Sequence, residues 1–380
     1  MATNLGPNQK LIGIPGGRGR LSTPSLVLDL DAFEQNLTAM ARHCQRIGQG
    51  LRPHAKSHKS VTIARRQIAA GALGVCCATV REAEAMIEAG IAGVLLTSPV
   101  TTAAKIERVL ALHAKSDQLM VAVDSPVAVE ALAKATAGTG RPLKLVVDFD
   151  VGLGRTGVRD DEVAATLARL IADRPTLAFA GVQAYAGQLQ HVVEYRQRVD
   201  GAMAQAARLK AAVERLTQLG LKPGIVTGGG TGTHDIDHRA GVFTELQAGS
   251  YLFTDVDYNR VRLREDSAMP FKPSLFVQAA VVSTDKPGYA VIDAGLKSFA
   301  TDGPVPEIVA GAPPGATYKF MGDEHGRVIF AQPGQRLEVG AILSLLVPHC
   351  DPTVNLYDVY HCVRGQDLVD IWPIEARGNP

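Results

Sequence analysis

Apolar residues recur in two alternating patterns along the first two thirds of the chain. Short runs such as "GVLLTS", "LMVAVD" and "LKLVVDFD" are apolar nearly throughout, as strands covered on both faces are. Between them lie longer stretches with apolar positions three and four apart. The segment "DAFEQNLTAMARHCQRI" sets Phe33, Leu37, Met40 and Ile47 at near-helical spacing behind Asp31, a residue suited to cap a helix. "SVTIARRQIAAG", "VREAEAMIEAG", "TTAAKIERVLALHAK", "PVAVEALAKATAG", "DDEVAATLARLIAD" and a long stretch from about Tyr195 to Leu219 read the same way. About eight strands, from "LRPHAK" to "QAGSYLF", thus alternate with amphipathic helices over residues 25–262, the length and rhythm of an α/β (β/α)8 TIM-type barrel. A doubly wound open sheet is the alternative; the chain shows neither its dinucleotide glycine fingerprint nor a switch point.

From about Pro270 the pattern changes. "SLFVQAAVVST", "GYAVIDAG", "GRVIFA", "AILSLLVPHC", "VNLYDVYHCVRG" and "QDLVDIWPIEA" are strand-like, separated by Gly, Pro and Asp turns, with hardly any helix. The expected division is a barrel over 22–265 and a C-terminal all-β domain over 266–380, with segment 1–21 an arm or a cover on the β domain.

Composition narrows the partners. Thirty-nine Lys and Arg stand against 38 Asp and Glu, a net charge of +1, so no chain-wide field exists to hold nucleic acid or an anionic membrane. The N-terminus is polar and interrupted by Gly and Pro, and no run reaches spanning length, so the expected location is the cytoplasm. Five cysteines, odd in number and set mostly in apolar runs, read as reduced thiols.

Active sites of such barrels sit at the C-terminal ends of the strands, and these ends are rich in polar groups. The first carries "RPHAKSHK", the fifth "DFDVGLGRTG" with Asp150 and Arg155, and the sixth "QAYAGQLQH" with Tyr185 and His191. Strand alternation would send His54, Lys56 and His58 to one face. A lysine aimed into the lumen should have a depressed pKa, as a lysine that captures carbonyls needs. Lys59, nearer the next helix, should face phosphate or solvent. "TGGGTGT" and "AGSY", closing the last two strands, could cradle a phosphate on backbone N–H groups. In "PHCDPTVN", an extended run would put His349 and Asp351 on one face and Cys350 on the other. That is half of a divalent-metal site, or else a structural hydrogen bond. "GDEHG" reads as a polar turn.

Taken in order, "RPHAKSHK", "GRTG", "QAYAGQLQH", "TGGGTGT", "ELQAGSY", "DAGLKS", "DEHG" and "PHCDPTVN" resemble the D-threonine aldolase and D-serine dehydratase group of fold-type III pyridoxal phosphate enzymes, relatives of alanine racemase. The resemblance runs from about residue 22 to the C-terminus. It implies an alanine-racemase-like barrel with a C-terminal β domain, pyridoxal 5′-phosphate held as a Schiff base by Lys56 and not Lys59, and Arg155 near the pyridine nitrogen. Tyr185, Gly230, Thr231, Gly249, Ser250 and Tyr251 match cofactor contacts, mainly to phosphate. His349 and Asp351 resemble the His-x-Asp metal pair of aldolase members, where dehydratase members carry His-x-Cys with zinc. A carboxylate suits manganese or magnesium better than a thiolate would, so these are the expected ions, with zinc the alternative. The implied reaction cleaves D-3-hydroxy amino acids to glycine and an aldehyde, with His191 taking the hydroxyl proton. A D-serine or D-threo-3-hydroxyaspartate dehydratase is the alternative. A racemase, for which Tyr357 and Tyr360 are the tyrosines to check, and a non-catalytic cofactor-binding protein stand further off. The resemblance also implies a homodimer.

Overall fold

Strand Ser25–Asp29 (β1) leads straight into helix Leu30–Ile47 (α1), and the cap between them is Asp29 rather than Asp31. Its carboxylate accepts from the amides of Asp31 and Ala32, two of the donors a helix start leaves unpaired. The computed structural model describes residues 5–266 and 268–378. After α1 come eight parallel strands: Gly50–Leu51 (β2), Cys76–Cys77 (β3), Leu95–Leu96 (β4), Met120–Val123 (β5), Leu143–Asp148 (β6), Leu177–Ala184 (β7), Ile225–Gly228 (β8) and Glu245–Leu246 (β9). Val61–Ala69 (α2), Val80–Glu88 (α3), Ala103–Lys115 (α4), Pro126–Ala135 (α5), Asp161–Ala172 (α6) and Tyr195–Gln218 (α7) connect them in turn up to β8.

These strands curl into the expected barrel. Their ladder runs β2-β9-β8-β7-β6-β5-β4-β3. The remaining gap, between β2 and β3, is spanned by a parallel bridge from His54 to Cys76 and by the Cys76 amide donating to the Pro53 carbonyl at 2.9 Å. No α-helix joins β8 to β9; instead α1, which precedes β2, covers that side, packing Phe33, Met40 and Cys44 with Leu51 and Leu246.

The rest of the chain is antiparallel sheet, as the sequence pattern predicts. Leu275–Ser283 (β10), Tyr289–Ile292 (β11), Glu307–Ala310 (β12), Thr317–Phe320 (β13), Gly326–Ile329 (β14) and Ile342–Leu346 (β15) precede a short helix, Cys350–Val354 (α8). Val359–Arg364 (β16) and Asp367–Pro373 (β17) follow it. β1, whose residues fall inside the 22–265 span read as barrel, pairs in this sheet, antiparallel to β10 and parallel to β16. Residues Leu11 and Leu21 pack beside it against Val363, Leu368 and Ile371. Among the described residues no helix is long and apolar enough to cross a membrane. All five cysteines are buried free thiols.

Candidate active site

Inward-facing side chains close the barrel below its mouth in two polar and apolar layers. Cys76, Leu95, Met120 and Val146 form a buried cluster beside the Arg52–Glu245 ion pair, in which Nε meets Oε2 at 2.9 Å and Nη2 meets Oε1 at 2.7 Å. Nearer the mouth, Gln183 donates to the Thr97 carbonyl at 2.9 Å and to Asp148 at 3.0 Å, Gln247 donates to Thr227 at 3.1 Å, and His54 Nε2 meets Thr97 Oγ1 at 3.3 Å. This satisfied polar layer is the floor of a cavity of about 210 Å³, which opens at the C-terminal ends of the strands.

The basic stretch "RPHAKSHK" reaches this cavity only in part. Beyond the bridge at His54 the chain turns into a 3-10 helix, Ala55–Ser57, so the alternation that would align His54, Lys56 and His58 is lost. His54 and Lys56 line the cavity. His58 is fully buried elsewhere: it faces Gln67 at 3.2 Å, accepts from the Ser60 amide, and burial pushes its pKa down to about 3. Lys59 does not face phosphate or solvent. It is buried in an ion pair with Glu82 at 2.8 Å.

Lys56 also departs from expectation in its charge. Burial disfavours the ammonium, but the Asp351 carboxylate, in direct contact with Nζ, outweighs it and raises the lysine above its ordinary value. Asp351 is correspondingly held below the usual carboxylate range: burial opposes ionisation, and Lys56 and then His349 overcome it.

The turns at the last two strand ends meet at the cavity. Thr231, Gly230, Gly249 and Ser250 line the cavity, and the backbone N–H groups of Thr231, Gly249 and Ser250 have no hydrogen-bond partner among the described residues. Unpaired amides from two adjacent turns are the donor set that a phosphate takes. Tyr251 does not join them. Its side chain is fully buried, with its hydroxyl accepting from Gln67 at 3.1 Å, and only its backbone amide contributes, by donating to Thr231 Oγ1 at 3.0 Å.

Behind the cradle stands Asp237. Its Oδ2 accepts from Thr233 Oγ1 at 2.7 Å and lies so close to Gly229 (φ +67°) that a Cβ there would come within 2.1 Å of it, so this turn needs glycine. Burial pushes the Asp237 carboxyl up to about 7, against the hydrogen bonds that favour its charge. An unfolded aspartate titrates near 3.9, so between about pH 4 and about pH 7 the unfolded chain gives up this proton while the folded one keeps it, and the group subtracts stability as pH rises. In Asp237→Asn the decline of melting temperature over that window should be smaller than in the wild type, as differential scanning calorimetry would register.

On the other rim of the cavity, "PHCDPTVN" is not extended. His349 precedes helix α8 and Asp351 lies in its first turn, because the Thr353 hydroxyl bonds the His349 carbonyl at 2.7 Å and Asp255 accepts from the Cys350 amide at 2.9 Å. Pro352 is tolerated because a first-turn amide has no helical partner. Both His349 and Asp351 still line the cavity, while Cys350 is buried. His349 Nδ1 meets Asp302 at 2.8 Å, and since a carboxylate only accepts, Nδ1 carries the proton and Nε2 is left as the lone-pair nitrogen. One such imidazole and one ionised carboxylate suit a divalent ion whose other positions are filled by water or substrate. Among the described residues no group of three or more His, Cys, Asp or Glu could hold a metal by itself.

His191, half-exposed, repeats this logic. Its Nδ1 meets Asp257 at 2.9 Å and its ring lies 4.5 Å from that of Tyr258, which also lines the cavity. Arg155 is exposed at the rim with its guanidinium carbon 5.6 Å from the centre of the Tyr185 ring. Asp257, Asp302 and Tyr258 are absent from the sequence reading, since nothing local marks them. Tyr357 and Tyr360 are excluded as cavity acids: their hydroxyls donate to the carbonyls of Ser298 at 3.0 Å and His58 at 2.6 Å.

Two family models match the chain in succession. The model of the alanine racemase N-terminal domain matches residues 28–257, and that of a putative serine dehydratase domain matches residues 274–363. The chain belongs to the alanine racemase-like family, within its D-threonine aldolase and D-serine dehydratase group. It is 43% identical over 363 residues to a D-threonine aldolase of Arthrobacter sp., covering 94% of this chain and 93% of that one. It is 38% identical over 371 residues to a 3-hydroxy-D-aspartate aldolase of Paracoccus denitrificans, covering 96% and 95%. The crystal structure of D-threonine aldolase from Filomicrobium marinum is similar at a TM-score of 0.90 and 37% identity, covering 94% and 96%.

Proposed function

We propose that this enzyme is a lyase of the D-threonine aldolase type, cleaving D-3-hydroxy amino acids to glycine and an aldehyde with pyridoxal phosphate on Lys56 and manganese or magnesium on His349 and Asp351. The observation that carries the proposal is the meeting, in one cavity, of a lysine amine, three unpaired backbone amides and an imidazole–carboxylate pair. The donor sets fit both groups. Thr231, Gly249 and Ser250 would hold the phosphate, and Arg155, which cannot give up its proton, would keep the pyridine nitrogen unprotonated. When bound, the cofactor supplies an electron sink for charge at Cα, and the divalent ion supplies polarisation of the 3-hydroxyl oxygen.

The chain's own groups move the proton. His191, held by Asp257 with Nδ1 protonated, presents Nε2 as the base for the 3-hydroxyl. As the O–H electrons form the aldehyde C=O bond, the Cα–Cβ pair remains on Cα, the aldehyde departs, and protonation at Cα yields glycine. The polar floor beneath, from His54 to Gln247, is held in place by its own hydrogen bonds, so it positions the groups above it.

A dehydratase would break the C–O bond with the same groups. Asp351, in place of a thiolate on that face, supports the aldolase. Incubating cofactor-loaded protein with D-threonine and manganese separates them: glycine with acetaldehyde supports the proposal, whereas 2-oxobutanoate with ammonia overturns it. Asp302→Asn should weaken manganese binding by roughly 10- to 100-fold in calorimetric titration while leaving the cofactor's absorbance in place, because the carboxylate fixes the His349 tautomer. The same proposal keeps the protein in the cytoplasm, which its five free thiols support, and as a homodimer of two-unit chains divided near residue 266.

A further inference from the structure

We propose that cofactor attachment and metal binding are coupled through Asp351, so that each strengthens the other. The inference rests on the proposed roles of Lys56 and Asp351 and goes beyond them. In the structure the carboxylate that would ligate the metal is already engaged: Lys56 Nζ contacts Oδ2, and the Cys350 thiol lies 3.2 Å from Oδ1. Among the described residues, Lys56 is the only lysine or arginine in an ion pair with Asp351. A divalent ion arriving there must displace the ammonium from the carboxylate and then sit close to it. Both effects weaken binding, the second because like charges a few ångströms apart repel in a partly desolvated cavity.

Capture of an aldehyde changes the lysine. The ammonium carries three N–H bonds; in forming a carbon–nitrogen double bond it gives two hydrogens to the departing oxygen as water and keeps at most one. The nitrogen becomes planar, is drawn toward the aldehyde carbon, and any remaining charge spreads into the conjugated ring. Asp351 loses its three-donor partner and its carboxylate is free for the metal. Lys56 is therefore both the attachment point and a positioning residue that keeps the metal site closed until the cofactor is in place. Linkage requires reciprocity: the factor by which cofactor raises metal affinity is the factor by which metal raises cofactor affinity.

The test is calorimetric titration of manganese into the wild type, with and without bound pyridoxal phosphate, after gel filtration to remove free cofactor that would chelate the metal. The cofactor-loaded protein is expected to bind manganese at least about 10-fold more tightly, within the usual span of coupling between two sites. Cofactor-free Lys56→Ala, and Lys56→Gln as a second variant, should bind it more tightly than cofactor-free wild type, and prior incubation with pyridoxal phosphate followed by the same gel filtration should change nothing. Equal affinities for loaded and unloaded wild type would overturn the coupling while leaving the metal site standing. Unchanged manganese binding in loaded Asp351→Ala would instead remove the metal assignment itself.

Discussion

Replacing Lys56 with alanine is expected to abolish the visible absorbance of bound pyridoxal phosphate and to lower D-threonine cleavage to background, whereas Lys59→Ala keeps the absorbance. The two lysines lie three residues apart but in opposite settings. Lys56 opens onto the cavity with His54 beside it and the amide cradle at the neighbouring strand ends. Lys59 is buried away from the cavity, its ammonium 2.8 Å from Glu82, whose other oxygen accepts from the Ala78 amide at 2.6 Å. Removing the Lys59 amine leaves an uncompensated buried carboxylate, a loss of about 3–5 kcal/mol. The substitutions should therefore separate: Lys56→Ala loses the cofactor and the chemistry with only the smaller stability loss of an ion pair whose lysine is 40% exposed, while Lys59→Ala keeps the cofactor and loses more stability.

His191→Ala is expected to lower kcat by roughly 10²- to 10⁴-fold, the usual contribution of a positioned general base, without releasing the cofactor. The ring is half-exposed at the rim, so its loss leaves no large cavity and the fold should tolerate it. Asp257→Asn should fall between this variant and the wild type. An amide at 257 no longer imposes the tautomer that leaves Nε2 free, but the imidazole remains. The measurement is steady-state release of aldehyde from D-threonine, with cofactor absorbance and manganese titration as controls; a drop in either binding property would reassign His191 to ligand binding.

Contacts set by local pattern were legible in the sequence, and those set by distant partners were not. The barrel strands announce themselves because parallel strands covered on both faces are apolar throughout, and the glycine turns after β8 and β9 because close backbone approach excludes a Cβ. The strand β1 looks like any other in sequence; its membership in the second sheet is decided by Leu275–Ser283 and Val359–Arg364, hundreds of residues away. Alternation misplaced His58 because a 3-10 turn begins directly after His54, and it misjudged His349 and Asp351 because Thr353 and Asp255 wind that segment into a helix. The charge of Lys56 was misread for the same reason: burial was foreseeable from the strand, whereas the compensating Asp351 comes from the other end of the chain. Asp257 and Asp302, which fix the two imidazoles, sit in loops whose sequence gives no hint of their partners.

The proposed chemistry turns on which amine captures the aldehyde. Borohydride reduction of the cofactor-loaded protein, followed by proteolysis and mass spectrometry of the peptides, locates the pyridoxyl group directly. A single label on Lys56 is the predicted result; a label on Lys59 or any other lysine, with Lys56 unmodified, would contradict it.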